Sequence, residues 1–279
     1  MKKRRPLPLR PESLLLVAAA LGGWAVWRMV ERRLTPTNPK LALRYGLNLT
    51  RGPRRVLAVS AHQDDLELFA AGTLRLLALA GSSITAVIAT GGDQQYTSER
   101  TLDQIREQEE RDAGTILGYD DIRFLRFTDL NLAHNPRFQP DLEAIWNQVR
   151  PDLVFSFDPT APYRSAVHPD HLAVGRAVLN ISRALGDDAP DIVFYGSRDP
   201  NVLVDISQVV ADKTEAIRAH RSQLTGWKRY YNLATRLQTR LAGRPVSVKY
   251  AEPLRYLSLP PLRDESYLEN WAAQEPVIR

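Results

Sequence analysis

Short apolar runs alternate with longer helical patterns along this chain from about residue 54, and this alternation limits the folds that the chain can adopt. The apolar runs are nearly continuous, which is typical of strands buried on both faces, and the helices between them act as crossover connections. Five strands are predicted, at 56–61, 83–90, 122–127, 152–157 and 191–196. The sequence therefore predicts one α/β domain with a mostly parallel sheet and helices on both faces.

Two predicted helices of this domain follow strands and bear on its function. The first, 98–118, has an apolar stripe and ends at Gly118, which suits a helix C-cap. The second, 168–186, begins with the sequence HPDH, has Pro169 at its first helical position and ends at Gly186.

The first 34 residues are predicted to form a separate unit. A basic start precedes the stretch from Leu14 to Val30, which is apolar except for Arg28 and is just long enough to cross a bilayer. We expect a single N-terminal membrane helix, with a cleaved signal peptide as the alternative. Because more basic residues precede the stretch than follow it, the main domain is expected on the extracytoplasmic side.

The remaining boundaries follow from composition. Residues 35–53 contain TPTNPK and are predicted to be a linker, the main domain covers 54–260, and 261–279 form a C-terminal tail. The net charge of +5 is inflated by the basic N-terminus, so it indicates no nucleic-acid partner. The chain has no cysteine, so any metal must be held by His, Asp or Glu.

Histidines and carboxylates cluster near two of the predicted strand ends. His62, Asp64 and Asp65 follow the first strand, and His168 and His171 lie on one face of a helix's first turn. Ligands of such sheets bind beyond the carboxyl ends of the strands. Two histidines and one carboxylate with an open position suit catalytic Zn²⁺, or Fe²⁺ as the alternative. The natural set is His62 with one of the two acids and one of the other two histidines.

The groups left over from such a site also have chemical uses. The acid that does not bind metal can take a proton from metal-bound water, whose pKa the ion lowers. The remaining histidine can, as an imidazolium, stabilise an oxyanion or protonate a leaving amine. The two clusters together predict metal-assisted hydrolysis of an amide, against the simpler interpretation of a polar turn and a capped helix.

These motifs resemble those of the PIG-L/LmbE-like N-acetylglucosaminyl deacetylases. AHQDDLELFAAGTL is similar to the family's first signature, HPDH to its second, and further matches run in the same order from about residue 54 to 256. They include TGGD at 90–93, the segment 201–223 and YAEPLR at 250–255. The resemblance implies a Rossmann-like deacetylase fold and a metal-dependent hydrolase.

The resemblance also implies roles for individual residues. His62, Asp65 and His171 match the metal ligands, Asp64 matches the general base, and His168 matches the histidine that stabilises the tetrahedral intermediate.

Further matches concern the surroundings of that centre. Asp170 matches the acid that orients its neighbours, Arg106 and Asp129 match residues that contact the sugar, and Tyr163 is taken as a third substrate-binding residue. His220 and Gln223 match the family's "H.SQ" tail, for which packing beneath the site is at least as expected as contact with substrate.

The function predicted from these observations is removal of the N-acetyl group from an N-acetylglucosamine-type sugar or glycan. An amidase of the same mechanism, acting on a thiol-sugar conjugate or a secondary metabolite, is one alternative. A non-catalytic sugar-binding module at the cell surface is the other. The predicted partners are an amino sugar or glycan and, through the N-terminal helix, a membrane.

Overall fold

A single twisted sheet forms the centre of the molecule. The structure is a computed structural model, and it describes residues 35–91, 102–162, 168–226 and 230–257. The strands are β1 Arg55–Ser60, β2 Ser83–Thr90, β3 Asp121–Phe127, β4 Leu153–Phe157, β5 Asp191–Tyr195, β6 Val202–Asp205 and β7 Ala251–Leu257. Their order across the sheet is β3-β2-β1-β4-β5-β7-β6. The first five strands are parallel, and β7 runs antiparallel to both β5 and β6.

Helices cover both faces of this sheet. They are α1 Pro39–Leu49, α2 Asp65–Phe69, α3 Ala71–Leu79, α4 Leu102–Leu117, α5 Phe138–Val149, α6 Pro169–Leu185, α7 Val210–Ala219 and α8 Tyr231–Gly243. Alternate residues of β1 point to opposite faces: Val56 and Ala58 belong to the apolar cluster under α2 and α3, whereas Leu57 and Val59 pack with α5 and α6. The predicted α/β architecture is therefore confirmed, with the five predicted strands placed to within one residue at each end.

Both predicted helices near the site are present in the described residues. The helix expected at 168–186 is α6, and the one expected at 98–118 contains α4, although 98–101 lie outside the described residues. Gly118 and Gly186 follow them with φ values of 83° and 56°, which glycine adopts without a steric penalty.

The predicted linker at 35–53 is instead largely helical. The side chain of Asn38 caps α1 by accepting a hydrogen bond of 3.2 Å from its first turn, and Pro39 occupies the first helical position, where no hydrogen bond is lost. A Cβ atom added at Gly46 would collide with a backbone carbonyl oxygen of β6. The prolines of TPTNPK predict a break in helical structure, whereas Pro39 is the first residue of a helix that packs on the sheet.

The two antiparallel strands were not predicted. β6 has only four residues, and β7 contains Pro253, which cannot donate a ladder hydrogen bond. Each segment therefore lacks the long apolar run by which the five parallel strands were recognised.

The prediction of a membrane-anchored protein with an extracytoplasmic domain is corrected. In the part of the chain that the structure describes, no helix combines the length and apolar character needed to cross a bilayer. The longest described helix, α6, has 17 residues, fewer than the roughly 20 apolar residues of a typical span. The segment from Leu14 to Val30, which motivated the prediction, lies outside the described residues. The membrane helix, the membrane partner and the extracytoplasmic placement are therefore not retained.

Candidate functional site

The candidate site lies at the carboxyl ends of β1 and β4, which are neighbours in the sheet. The chain proceeds from β1 toward one edge and from β4 toward the other, so a crevice forms between their ends. AHQDD follows β1, and HPDH begins α6, the helix after β4. Gly175 allows α6 to approach β4, because a Cβ atom there would lie 2.5 Å from the carbonyl oxygen of Phe157.

Three side chains from these two motifs converge at the crevice. His62 Nδ1 lies 3.2 Å from His171 Nε2 and 3.5 Å from Asp65 Oδ2. Asp65 Oδ1 lies 3.3 Å from His171 Nε2. Donor atoms of His62, His168 and His171 also lie within 4.8 Å of one another, as do those of His62, Asp129 and Asp170. The fold therefore places the predicted ligands close together. The two other triads are also compact enough to contact a single ion.

Packing and charge hold this triad in place. The ring of Phe157 stacks on His171 at 3.7 Å, and Asp65 accepts a 2.8 Å hydrogen bond from the backbone of His62. Burial lowers the pKa of His62, but Asp170 and Asp65 outweigh it and raise that pKa to about 10. Burial raises the pKa of Asp65, whereas His171 and His62 lower it further, below its usual range. The site therefore favours a positive charge, either a proton or a cation.

Asp170 lies behind His62 and is completely buried. Its carboxylate accepts hydrogen bonds from the backbone of Leu130 at 2.7 Å and Leu132 at 3.2 Å, and it lies 3.6 Å from His62 Nε2. Burial raises the pKa of Asp170, but His62 and these backbone donors lower it overall. Asp170 thus faces the ring nitrogen of His62 that points away from His171, as an orienting acid would.

His168 caps the start of α6. Its Nδ1 accepts a hydrogen bond of 3.3 Å from the backbone of Asp170. In a neutral ring the proton is then on Nε2, which makes that atom a donor. Burial and the nearby rings of His62 and His171 lower the pKa of His168. Its side chain is about one-third exposed and lines the crevice.

Asp64 has an unusual backbone conformation in the turn after β1. Its φ is 97°, a left-handed conformation that costs a residue with a side chain about 1–3 kcal/mol. The backbone N–H of Asp64 donates to Glu110 Oε2 at 3.4 Å. The surrounding structure must therefore hold this turn in place.

The side chains of both motifs line one cavity of about 730 Å³. Arg106 and Asp129, predicted to contact substrate, line it, and the buried Nε of Arg106 has no hydrogen-bond partner among the described residues. The residues lining it that sequence reasoning did not assign to the site are Leu68, Phe69, Leu130, Tyr231, Ala234, Thr235 and Gln238. Those from α8 belong to no motif, so the sequence offered no signal for them. Tyr163, the third predicted substrate-binding residue, lies outside the described residues.

A second cluster of acidic and histidine side chains is buried beneath the Asp64 turn. Glu67, Glu110 and His220 are each at most 1% exposed. His220 Nε2 lies 3.4 Å from Glu67 Oε2 and 3.9 Å from Glu110 Oε2. Burial lowers the pKa of His220, but Glu67 and Glu110 outweigh it and raise that pKa to about 9. Burial and Glu67 raise the pKa of Glu110 well above its usual value. Gln223 of the same loop lines the cavity, so the "H.SQ" residues lie both beneath the site and beside it.

Comparisons with known proteins agree with this arrangement. The model of the PIG-L family, described as GlcNAc-PI de-N-acetylase, matches residues 57–182. A probable N-acetyl-alpha-D-glucosaminyl L-malate deacetylase 2 of Bacillus cereus is 35% identical over 188 residues, which are 61% of this chain and 84% of that protein. Diacetylchitobiose deacetylase of Thermococcus kodakarensis is 28% identical over 228 residues, covering 73% of this chain and 83% of the relative.

A solved structure leads to the same family. The N,N'-diacetylchitobiose deacetylase from Pyrococcus horikoshii, determined with an inhibitor, superposes with a TM-score of 0.65 at 27% identity. The similarity covers 73% of this chain and 84% of that one. Sequence, fold and family match therefore confirm the resemblance seen in the motifs, and this chain belongs to the PIG-L family.

Proposed function

We propose that this chain is a metal-dependent deacetylase that removes the acetyl group from an N-acetylglucosamine-type sugar or glycan. The observation that carries the proposal is the convergence of His62, Asp65 and His171 at a cavity that Asp64 and His168 also line. The relatives support the substrate class, because they are named as deacetylases of N-acetylglucosaminyl malate and of diacetylchitobiose.

The donor set fits a divalent cation. In a tetrahedral site with metal–ligand distances of about 2.0–2.1 Å, the ligand atoms lie roughly 3.3 Å apart. His62 Nδ1 and His171 Nε2 are 3.2 Å apart, and Asp65 approaches each of them with a different oxygen: Oδ2 lies 3.5 Å from His62 and Oδ1 lies 3.3 Å from His171. Imidazole nitrogens with a carboxylate, and no thiolate, suit Zn²⁺ or Fe²⁺. We assign these three residues as the ligands, and a cation bound there would polarise the acetyl carbonyl and acidify a water molecule.

The remaining residues then carry the proton transfers. Asp64 accepts a proton from the attacking water as its oxygen adds to the acetyl carbon. His168 donates a hydrogen bond from Nε2 to the carbonyl oxygen as that oxygen becomes negative, and it keeps its proton. The carbon–nitrogen bond breaks, the proton held by Asp64 passes to the leaving amine, and the free amino sugar is released with acetic acid, which then loses its proton to give acetate. Asp170 keeps the ring of His62 oriented throughout.

The cavity is compatible with a sugar that carries a further group. Its volume of about 730 Å³ lies within the range of about 300–1,000 Å³ usual for small-ligand sites. Arg106 and Asp129 both line the cavity, so they offer a guanidinium and a carboxylate for sugar hydroxyls. We propose both as substrate-binding residues, and Tyr163 on the strength of the resemblance alone.

Acetate release by the full-length protein tests the proposal. The substrates are N-acetylglucosamine, its short β-1,4 oligomers and its glycosides, each assayed as purified, after chelation, and after Zn²⁺ or Fe²⁺ is restored. We expect release that disappears with the metal and returns with it. The same sugars with bulkier N-acyl groups identify an amidase if only they turn over. Metal-independent binding without turnover of any substrate would contradict the proposal.

A further inference from the structure

The sealed cluster of Glu67, Glu110 and His220 lies directly behind the Asp64 turn, and the proposed mechanism does not use it. The three residues come from three elements: Glu67 from α2, Glu110 from α4 and His220 from the end of α7. All are buried. Two adjacent buried carboxylates are costly unless they are compensated, so their placement calls for a physical explanation.

A backbone hydrogen bond links this cluster to the candidate general base. Glu110 Oε2 accepts a hydrogen bond from the backbone N–H of Asp64 at 3.4 Å, which is longer than the usual range of about 2.7–3.2 Å. The φ of 97° at Asp64 is one that residues with side chains rarely adopt. A fixed acceptor at this N–H therefore favours the turn that presents the Asp64 carboxylate to the cavity.

Glu110 is itself fixed from behind. His220 Nε2 lies 3.4 Å from Glu67 Oε2 and 3.9 Å from Glu110 Oε2, so an imidazolium there offsets carboxylate charge in the cluster, while the raised pKa of Glu110 favours a proton on that residue. The hydroxyl of Tyr119 lies 3.5 Å from Glu67 Oε1, whereas His220 approaches the other oxygen, Oε2. The cluster therefore has a charge arrangement that holds the acceptor oxygen of Glu110 in place.

The loop after α7 also contacts Gln63, the residue that precedes Asp64 in the turn. Gln223 donates from Nε2 to the carbonyl oxygen of Gln63 at 2.8 Å. The backbone N–H of Gln223 donates in turn to the carbonyl oxygen of His220 at 3.1 Å. One loop thus contacts the Gln63 backbone directly and reaches Asp64 through Glu110.

We infer that Glu110 is a positioning residue, held by His220 and Glu67, that fixes the backbone of Asp64 so that its carboxylate stays directed at the reacting water. This inference rests on the proposed function, in which Asp64 is the general base. It adds a role for a residue of α4 that is neither a proposed metal ligand nor one of the described residues lining the cavity.

Two variants of the full-length protein, matched in size, isolate the acceptor. Glu110→Met keeps the length of the side chain but has no oxygen, whereas Glu110→Gln keeps an acceptor oxygen. Since small misplacements of a catalytic group can cost up to about 100-fold, we expect Glu110→Met to lower kcat roughly 10- to 100-fold with KM nearly unchanged. Glu110→Gln should stay within about threefold of the wild type, because the bond to Asp64 survives.

A neighbouring residue supplies the control. Glu109 is also buried on α4, but its carboxylate bonds the backbone and hydroxyl of Ser222 at 2.7 and 2.6 Å. Glu109→Met is expected to lower the melting temperature and to reduce kcat less than Glu110→Met does, because Glu109 bonds the loop after α7 and not the backbone of Asp64. If Glu110→Met does not fold, Glu110→Ala serves as the acceptor-free variant.

Two results would overturn the inference: a wild-type kcat in the acceptor-free variant, or equal losses in Glu110→Met and Glu110→Gln. A second cation is the competing explanation, because donor atoms of the cluster lie within 4.8 Å of one another. We expect the same metal content per chain in wild type and Glu110→Met, and loss of one equivalent in the variant would contradict positioning.

Hydrogen–deuterium exchange provides a readout that does not depend on activity. The backbone of residues 62–66 is expected to exchange faster in Glu110→Met than in Glu110→Gln. Equal exchange in the two variants would count against the inference. If the wild type releases no acetate, the proposed function fails while this comparison still decides the role of Glu110.

Discussion

Two clusters of the same residue types meet at the Asp64 turn, and they differ in what can reach them. The open cluster consists of His62, Asp65 and His171, and the sealed cluster consists of Glu67, Glu110 and His220. The open cluster lines a cavity of about 730 Å³, whereas the side chains of the sealed cluster are at most 1% exposed. Similar side chains therefore support different roles. Those of the open cluster can take part in chemistry because substrate and water reach them. Those of the sealed cluster are not accessible, and their charges stabilise the backbone of the Asp64 turn.

The electrostatics of the two clusters are otherwise alike. Carboxylates raise the pKa of His62 to about 10 and that of His220 to about 9, in both cases against the effect of burial. In the open cluster a cation can take the place of the proton. In the sealed cluster we expect the proton to remain. The following experiments, from the largest expected effect to the smallest, test this contrast.

The largest effect is expected from removing a ligand of the open cluster. His62→Ala should lose its bound metal, and acetate release should fall about a thousandfold or more, because several kcal/mol of transition-state stabilisation are removed. Metal analysis and acetate assays measure both. His134→Ala is the control, since His134 is exposed on the turn after β3. Retention of metal and activity by His62→Ala would show that the open cluster is not the metal site.

Loss of the base should separate chemistry from metal binding. Asp64→Asn keeps the size of the side chain but cannot accept a proton, so kcat should fall about 10²- to 10⁴-fold. Its metal content should equal that of the wild type, because Asp64 is not among the proposed ligands. Unchanged acetate release would contradict the assignment of the base.

His168 is expected to have a smaller effect, through its donor. His168→Ala should lower kcat about a hundredfold, the usual loss for one oxyanion donor. His168→Gln retains an N–H group and should recover part of that loss, with the metal content unchanged in both variants. If His168→Ala instead releases the metal, His168 is a ligand, as the alternative triad with His62 and His171 allows.

The smallest effect on acetate release is expected in the sealed cluster, which is tested instead through the pH dependence of stability. The folded-state pKa of His220, about 9, lies above its ordinary value of 6.5. Its stabilisation is therefore fully present below about pH 6.5 and is lost as the pH rises through 9, by about 3 kcal/mol in all. Urea unfolding of metal-loaded wild type and His220→Gln at pH 6 and 9.5 measures this. A difference in unfolding free energy that does not change with pH would show that His220 is uncharged.

Much of the core architecture and the site motifs could be predicted because the signals are local. The apolar run of β1 and the acids that follow it lie within one stretch of sequence. His62 and His171 are 109 residues apart, yet their meeting was predictable because the ends of neighbouring parallel strands lie at one edge.

Other parts of the molecule carry no comparable signal. Thr235 and Gln238 line the cavity only because α8 packs beside it, and neither belongs to a chemical motif. The prolines before α1 are equally compatible with a linker and with a capped helix start, and only packing against β6 favours the helix.

The sequence by itself determined the five parallel strands, the residue types available for a metal and the two motifs that bring them together. These properties depend on side-chain periodicity and on residues close in sequence. Tertiary structure alone decided that Glu110 lies behind Asp64, that His220 is sealed while His168 faces the cavity, and that α8 forms one wall. The reason is that burial and long-range contact depend on how whole elements pack, which no short stretch of the chain encodes.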